Sequence, residues 1–277
     1  MAAALVVKFG GELLEEPSRL AGVVAAVARV RRPGPLVPLA IVHGGGREIG
    51  AALASAGLET RQVDGLRITD EATLEIVVSV LGAVNTRLVA SLVAAGVPAV
   101  GLTGADAAGG LAEPAPPHLA VDGRRVDLGR VGIPSDRADL GLLTALIGGG
   151  FVPVVACIGM FADGRLCNVN ADTLASHLAV RLGARRLVVA GATPGVLDER
   201  GRTIPLLEAT AIARLIEAGT ATSGMVAKLQ ASAHALKGGV GDVMIVDGRD
   251  RAALEAAALD GAPTGATRLV QAVGQTS

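Results

Sequence analysis

Two strands that each run straight into glycines, Ala4-Leu-Val-Val-Lys8-Phe-Gly-Gly11 and Leu36-Val-Pro-Leu-Ala-Ile-Val-His43-Gly-Gly-Gly46, decide how the rest of the chain is read. The apolar runs at Leu5 to Val7 and Leu39 to Val42 read as buried strands, and a buried strand fixes the turn that follows it. Glycines without Cβ let backbone N–H groups approach an anion, and a helix beginning near Arg47 adds its positive end. Both turns therefore read as phosphate cradles, with Lys8 as the fixed charge. Neither has the spacing of a P-loop or of G-x-G-x-x-G.

The basic residues sharpen this. Of 25 Lys plus Arg, only Lys8, Lys228 and Lys237 are lysine. A chain so biased towards arginine keeps Lys8 at a strand end before Gly-Gly, and Lys228 after Ser223-Gly224-Met225. Those two positions point to sites that need a compact ammonium rather than a planar fork. Lys237, near a predicted helix end, reads as a solvated surface residue.

With 277 residues the chain can form one large α/β domain or two lobes. A net charge of -1, a pI near 6.4 and only three aromatic side chains, Phe9, Phe151 and Phe161, exclude base-stacking platforms and argue against nucleic acid. Any adenine bound here must lie between aliphatic groups. Cys157 and Cys167 have no CxxC partner and no His at ligand spacing, so they read as reduced packing residues, and no metal site is predicted. The amino terminus carries no basic leader. Leu140 to Ala162 is charge-free, but Gly148-Gly-Gly150 and Pro153 divide it into helix, turn and buried strand, so a soluble cytoplasmic protein is expected.

Along the chain, Pro17 to Arg32 has helical spacing and Pro33-Gly-Pro35 ends it. A helix follows Gly46 to about Ala56. Thr69 or Asp70 is the N-cap expected for a long helix to about Ala95, and Pro98 to Leu102 reads as a strand. This βαβα alternation predicts a mainly parallel, helix-covered sheet. Ala105 to Pro134 breaks the rhythm: pieces around His118 to Val121 and Arg125 to Leu128 joined by Asp122-Gly123 predict a hairpin, and residues 112–130 are read either as a lid or as a surface excursion. Helix Asp139 to Ile147 and strand Phe151 to Ile158 resume the pattern. Helix Asp172 to Leu182, strand Arg186 to Ala190, helices Ala209 to Glu217 and Met225 to Leu236, strand Val243 to Val246 and a closing strand Thr264 to Val270 complete it.

Seven stretches, in order over nearly the whole chain, resemble the amino-acid kinase family and within it the acetylglutamate kinases. They are Lys8-Phe-Gly-Gly11, Val42-His-Gly-Gly-Gly46, Gly65-Leu-Arg-Ile-Thr-Asp70, Gly101-Leu-Thr-Gly104, Asn168-Val-Asn-Ala-Asp172, Pro194-Gly-Val-Leu-Asp198 and Ser223-Gly-Met-Val-Ala-Lys228. The resemblance implies an open αβα sandwich around a mainly parallel sheet, in two lobes. Residues 1–170 would bind the acylated amino acid and dimerise, and residues 171–277 would bind ATP.

Carried over by position, Lys8 and Lys228 would neutralise the transferring phosphoryl group from opposite sides. Gly11 and Gly45 would donate N–H bonds to it, and Gly44 would shape the approach. Arg67 would hold the substrate's α-carboxylate, for which its fork is suited, with Asn168 on the other side. Asp172 would orient the two lysines. Gly10, Gly11, Ala192, Thr193, Gly195, Gly224, Met225 and Lys228 would line the nucleotide site. Read from the residues alone, Asp172 is also a natural helix N-terminal residue and Asn168 a turn residue. His43 reads as a loop-orienting group.

The implied reaction is phosphorylation of the γ-carboxylate of N-acetyl-L-glutamate by ATP in arginine biosynthesis. A carboxylate with a pKa of about 4.3 is already ionised at neutral pH, so no general base is required. Repulsion between that carboxylate and the phosphate chain must be offset by cations and N–H groups. Mg²⁺ is expected on the phosphates, held mostly by ATP and water rather than by protein carboxylates.

Two departures bear on these expectations. Ala190-Gly-Ala-Thr-Pro-Gly195 stands where the family carries Ser/Thr-Asp-Val-Pro/Ser-Gly, so its acidic position is Ala192 here. The chain begins at its first strand, without the extra helix of arginine-inhibited hexamers, which implies an arginine-insensitive homodimer. Alternatives on the same fold are a kinase for another acylated amino acid, such as N-succinylglutamate or a carrier-bound aminoadipate, or a catalytically weak binding or sensor protein.

Overall fold

The computed structural model describes residues 3–31, 37–108, 110–217, 223–259 and 261–271; Pro33-Gly-Pro35 lies outside them. From the start the chain forms β1 (Leu5–Phe9), α1 (Pro17–Val30), β2 (Leu39–His43), α2 (Gly46–Ser55), β3 (Gln62–Val63), β4 (Leu66–Arg67), α3 (Glu71–Ala94) and β5 (Ala99–Thr103). Short strands follow: β6 (Ala112–Pro114), β7 (His118–Leu119), β8 (Arg125–Val126) and β9 (Val131–Pro134). Then come α4 (Gly141–Gly148), β10 (Val152–Ala156), β11 (Ile158–Met160), β12 (Leu166–Val169) and α5 (Ala171–Arg181). The chain ends with β13 (Arg186–Gly191), β14 (Leu206–Glu208), α6 (Ala209–Glu217), α7 (Ser223–Lys237), β15 (Asp242–Asp247), α8 (Arg251–Ala258) and β16 (Thr267–Val270).

Eight strands make one sheet in the order β14-β16-β15-β13-β1-β2-β10-β5. All pairings in it are parallel except β15 with β16. The strands drawn from before Asn170 and those from after it thus meet along β1 and β13. Side chains alternate across β1, as pleating requires. Leu5, Val7 and Phe9 belong to the core layer of α1 and α8, whereas Val6 belongs to the layer of α5 and α7. Lys8, two residues after Val6, therefore faces α5.

Capping explains two helix starts. The Asp70 carboxylate accepts from the Thr73 N–H at 2.9 Å, as expected of the residue before a long helix. At α5 the cap is Asn170, which accepts from the N–H groups of Asp172 and Thr173 at 2.9 and 3.0 Å. Asp172 is thus not the capping residue, and its carboxylate is released for other work.

Other boundaries differ from expectation. The apolar run to Ile158 is two strands: β10 ends at Ala156 in the main sheet, while β11 pairs with β12 in a second sheet, β11-β12-β9-β6. Cys157 is the junction, its carbonyl accepting from the Val169 N–H at 3.1 Å. The closing strand starts at Thr267 and runs antiparallel to β15. Helix α8 was unforeseen, although Asp250 caps it by accepting from Ala252 and Ala253. Leu140 to Ala162 is helix, turn and strands. Among the described residues the one helix long and apolar enough to cross a membrane is instead α3, which buries Leu74, Val77, Leu81 and Leu88 within the protein.

The β7–β8 hairpin turns at Asp122-Gly123, where Gly123 has φ +84°. It is tied to the β3–β4 hairpin: the Asp64 carboxylate accepts from the Val121 N–H at 3.0 Å and lies 2.8 Å from His118 Nε2. The same β3–β4 unit carries Arg67.

Candidate active site

The two glycine turns interlock at the ends of β1 and β2. A Cβ on Gly11 would lie 2.7 Å from the Gly45 Cα, so the turns approach this closely because Gly11 lacks a side chain. Helix α2 begins at Gly46, directly after this contact. His43 is fully buried behind the second turn. Its Nε2 lies 3.0 Å from the Asn85 amide nitrogen, which can only donate, so Nδ1 carries the proton and donates to the Gly44 carbonyl at 3.2 Å. Burial, reinforced by Arg87, pushes its pKa down to about 4. A neutral, fixed imidazole orients the loop, as expected, and has no free nitrogen to act as a base.

Three charges meet in front of these turns. Lys8 Nζ lies 2.9 Å from Asp172 Oδ1, and Lys228 Nζ lies 3.7 Å from Asp172 Oδ2. Lys8 and Asp172 are each 5% exposed. Burial disfavours both charges, but their attraction outweighs it: the Lys8 ammonium is held above the ordinary lysine value and the Asp172 carboxyl below the ordinary carboxylate value. Both groups are ionised at neutral pH. Lys228 also donates to the Gly224 carbonyl at 3.3 Å. A cavity of about 240 Å³ is lined by this cluster, both glycine turns, Arg67 and Asn168.

Arg67, 9% exposed, donates one Nη2 bond to the Gly46 carbonyl at 3.1 Å, while its buried Nη1 has no hydrogen-bond partner among the described residues. A half-used fork facing the cavity has the donors that an anion needs. Asn168, on β12, donates to Thr69 Oγ1 at 3.1 Å. It is a strand residue and not a turn residue. Cys157 also lines the cavity, but burial raises its thiol pKa to about 12, which removes it as a nucleophile.

The sequence profile described as the amino acid kinase family matches residues 3–247. The chain belongs to the amino acid kinase family. Acetylglutamate kinase of Novosphingobium aromaticivorans is 39% identical over 256 residues, covering 88% of this chain and 83% of that protein. Acetylglutamate kinase of Methanopyrus kandleri is 41% identical over 246 residues, 87% of this chain and 94% of that one. Among solved structures, N-acetylglutamate synthase from Neisseria gonorrhoeae superposes with a TM-score of 0.82 at 24% identity, which shows a shared fold. That match covers 98% of this chain but spans only 60% of the synthase.

In this member of the family, not every residue expected at the nucleotide side meets the cavity. Gly10, Gly11 and Lys228 line it. Gly195 instead packs against β16: a Cβ there would lie 2.5 Å from Thr267 Oγ1. Met225 is buried in the core layer of α5 and α7, while Thr193 and Gly224 are exposed and outside the cavity lining, Gly224 touching it only through its carbonyl on Lys228. Ala192 is reached through its backbone, since its N–H donates to Glu12 Oε1 at 3.1 Å. Glu12, which lines the cavity, is the site residue that sequence reasoning missed. Its only signal was an acidic residue directly after a phosphate-type Gly-Gly.

Proposed function

We propose that this protein transfers the γ-phosphoryl group of ATP to the γ-carboxylate of N-acetyl-L-glutamate, yielding ADP and the acyl phosphate, in arginine biosynthesis. The observation that carries the reading is the buried Lys8–Asp172 pair with Lys228 on the second carboxylate oxygen, set before two interlocked glycine turns. A carboxylate oxygen would bond to the γ-phosphorus as the bond from phosphorus to the bridging oxygen of ADP breaks. No proton moves, in keeping with a site whose one nearby histidine is neutral and doubly engaged. Lys8 and Lys228 would neutralise the phosphoryl group from two sides while Asp172 keeps them aligned. Gly11 and Gly45 would supply N–H donors. The free Nη1 of Arg67 supports its assignment to the substrate α-carboxylate, with Asn168 opposite. Mg²⁺ supplied with ATP would offset charge on the β- and γ-phosphates.

Residues 1–170 would then hold the acylated amino acid and 171–277 the nucleotide. A cytoplasmic homodimer is part of the proposal: the outward face of α3 carries exposed Ala90 and half-exposed Val93, beside the open sheet edge at β5. Coupled ADP release with a panel of acylated amino acids tests the activity. Turnover of N-acetyl-L-glutamate above all others is expected, and no ADP release from any of them would refute it.

One observation favours a second reading, a kinase for a larger acylated amino acid. A cavity of about 560 Å³ adjoins the first, sharing Leu66, Val131 and Asn170 with it, so a longer acyl group has somewhere to go. Faster turnover of a longer N-acyl glutamate in the same panel would favour it.

A further inference from the structure

We propose that Glu12 is the protein ligand for the divalent cation that accompanies the nucleotide, an inference that rests on the ATP-dependent reading above. The cavity is lined by three cations, Lys8, Lys228 and Arg67, of which Arg67 is assigned to the substrate carboxylate, and by two carboxylates, Asp172 and Glu12. Asp172 is committed to both lysines. Glu12 has no ion-pair partner among the described residues, although it lies close enough to Lys8 to help keep that ammonium protonated. A phosphate chain entering this space brings several negative charges towards an unpaired carboxylate. Such an arrangement is unfavourable unless a cation stands between them.

The position of the carboxylate fits a phosphate-bound metal rather than a distant part of the nucleotide. Both Glu12 oxygens lie over Gly10, where a Cβ would approach them to within 2.4 Å, and Oε1 lies 3.2 Å from where a Cβ of Gly191 would be. That same Gly191 position is 4.0 Å from Lys228 Cε. The carboxylate is therefore held at the phosphate cradle itself. Its Oε1 is fixed by the Ala192 N–H at 3.1 Å, and Oε2 makes no hydrogen bond among the described residues. One oxygen anchored by a backbone donor and the other free is how a carboxylate is oriented for monodentate coordination. Phosphate oxygens and water would supply the remaining positions, as hard divalent cations at phosphates require. The carboxylate that Ala192 lacks is supplied on Ala192's own N–H by a residue 180 positions away.

Glu12→Gln tests this, because it keeps an acceptor for the Ala192 N–H and removes the charge. ADP binding is measured by calorimetry on the full chain, wild type and variant, in excess EDTA and in saturating Mg²⁺. Mg²⁺ should tighten ADP binding to the wild type by at least about tenfold more than to the variant. In EDTA the variant should bind ADP more tightly than the wild type, since one repulsive charge is gone. Mn²⁺ in place of Mg²⁺ gives a second readout: water-proton relaxation should report a ternary complex that is weaker in the variant. Glu12→Ser provides the same comparison if the Gln variant does not fold. Equal metal dependence in wild type and variant, within about twofold, overturns the inference and leaves the kinase reading standing. No ADP binding to the wild type in either condition overturns both.

Discussion

Asp172→Asn should destabilise the free protein and make it unusually dependent on bound phosphate. The Asp172 carboxylate stands 2.9 and 3.7 Å from two ammonium groups, with Lys8 and Asp172 both 5% exposed. At an effective dielectric of about 20 these separations correspond to attractions of about 6 and about 4.5 kcal/mol, before the cost of desolvation is subtracted. Breaking a buried pair from one side costs about 3–5 kcal/mol, and the amide, which can still accept from Lys8, places this variant near about 3. For a chain of this size that is a fall in Tm of roughly 6–12 °C. Phosphate oxygens can replace the lost carboxylate as counter-ions to the lysines. MgADP should therefore raise the Tm of the variant more than that of the wild type and close at least about half of the gap. Thermal unfolding followed by circular dichroism, with and without MgADP, measures both effects. A variant melting within about 2 °C of wild type, or a gap unchanged by nucleotide, would refute the assignment of Asp172 as the shared counter-ion.

Further expectations follow from the same geometry. The low Asp172 pKa contributes stability that is complete above about pH 4 and is lost as pH falls through the folded-state value; Lys8, raised, contributes below about pH 10 and loses it as pH rises further. Urea titrations across pH should thus show an acid-side loss in the wild type that is smaller in Asp172→Asn, and identical acid profiles would contradict it. Lys8→Arg and Lys228→Arg should each lower kcat by at least about tenfold, because a guanidinium cannot occupy the place of an ammonium; near-normal turnover removes that lysine from the site. Arg67→Ala should raise KM for the acylated amino acid by about tenfold or more while KM for ATP stays within about threefold, and a selective loss of ATP affinity would mean the substrate sits elsewhere. With His43 held neutral by a pKa near 4, kcat/KM should show no histidine limb between about pH 6 and 8, where an unperturbed imidazole titrates.

What could be read beforehand was whatever depends on local order along the chain. The two strand-glycine units, the long helix capped by Asp70 and the α/β alternation each rest on neighbours a few residues apart, and each is present in the structure. The rarity of lysine pointed to Lys8 and Lys228, and they do share one carboxylate. Boundaries were harder. Nothing local in an unbroken apolar run tells Ala156 from Ile158, because both are buried; the division arises from which strand each pairs with. Asn170 and Asp172 are both good helix-start residues, and only the direction of Lys8 across the sheet explains why the first caps and the second does not.

Glu12 marks the limit of this kind of reading most clearly. Taken by position, Ala192 looks like a missing contact, because the family resemblance implies an acidic residue there. Taken in space, a carboxylate does reach that position: β1 and β13 are adjacent and parallel, with Phe9 opposite Ala190, so the turn after β1 delivers Glu12 to the Ala192 N–H in the turn after β13. A carboxylate can then reach the same point from either strand. Which strand's turn carries it is invisible to any local pattern, but the consequence is physical, since an acid in the turn after β1 is near enough to Lys8 to favour its charged form. If Glu12 holds the cation as proposed, the two turns act together, the acid coming from the turn after β1 and its anchoring N–H from the turn after β13.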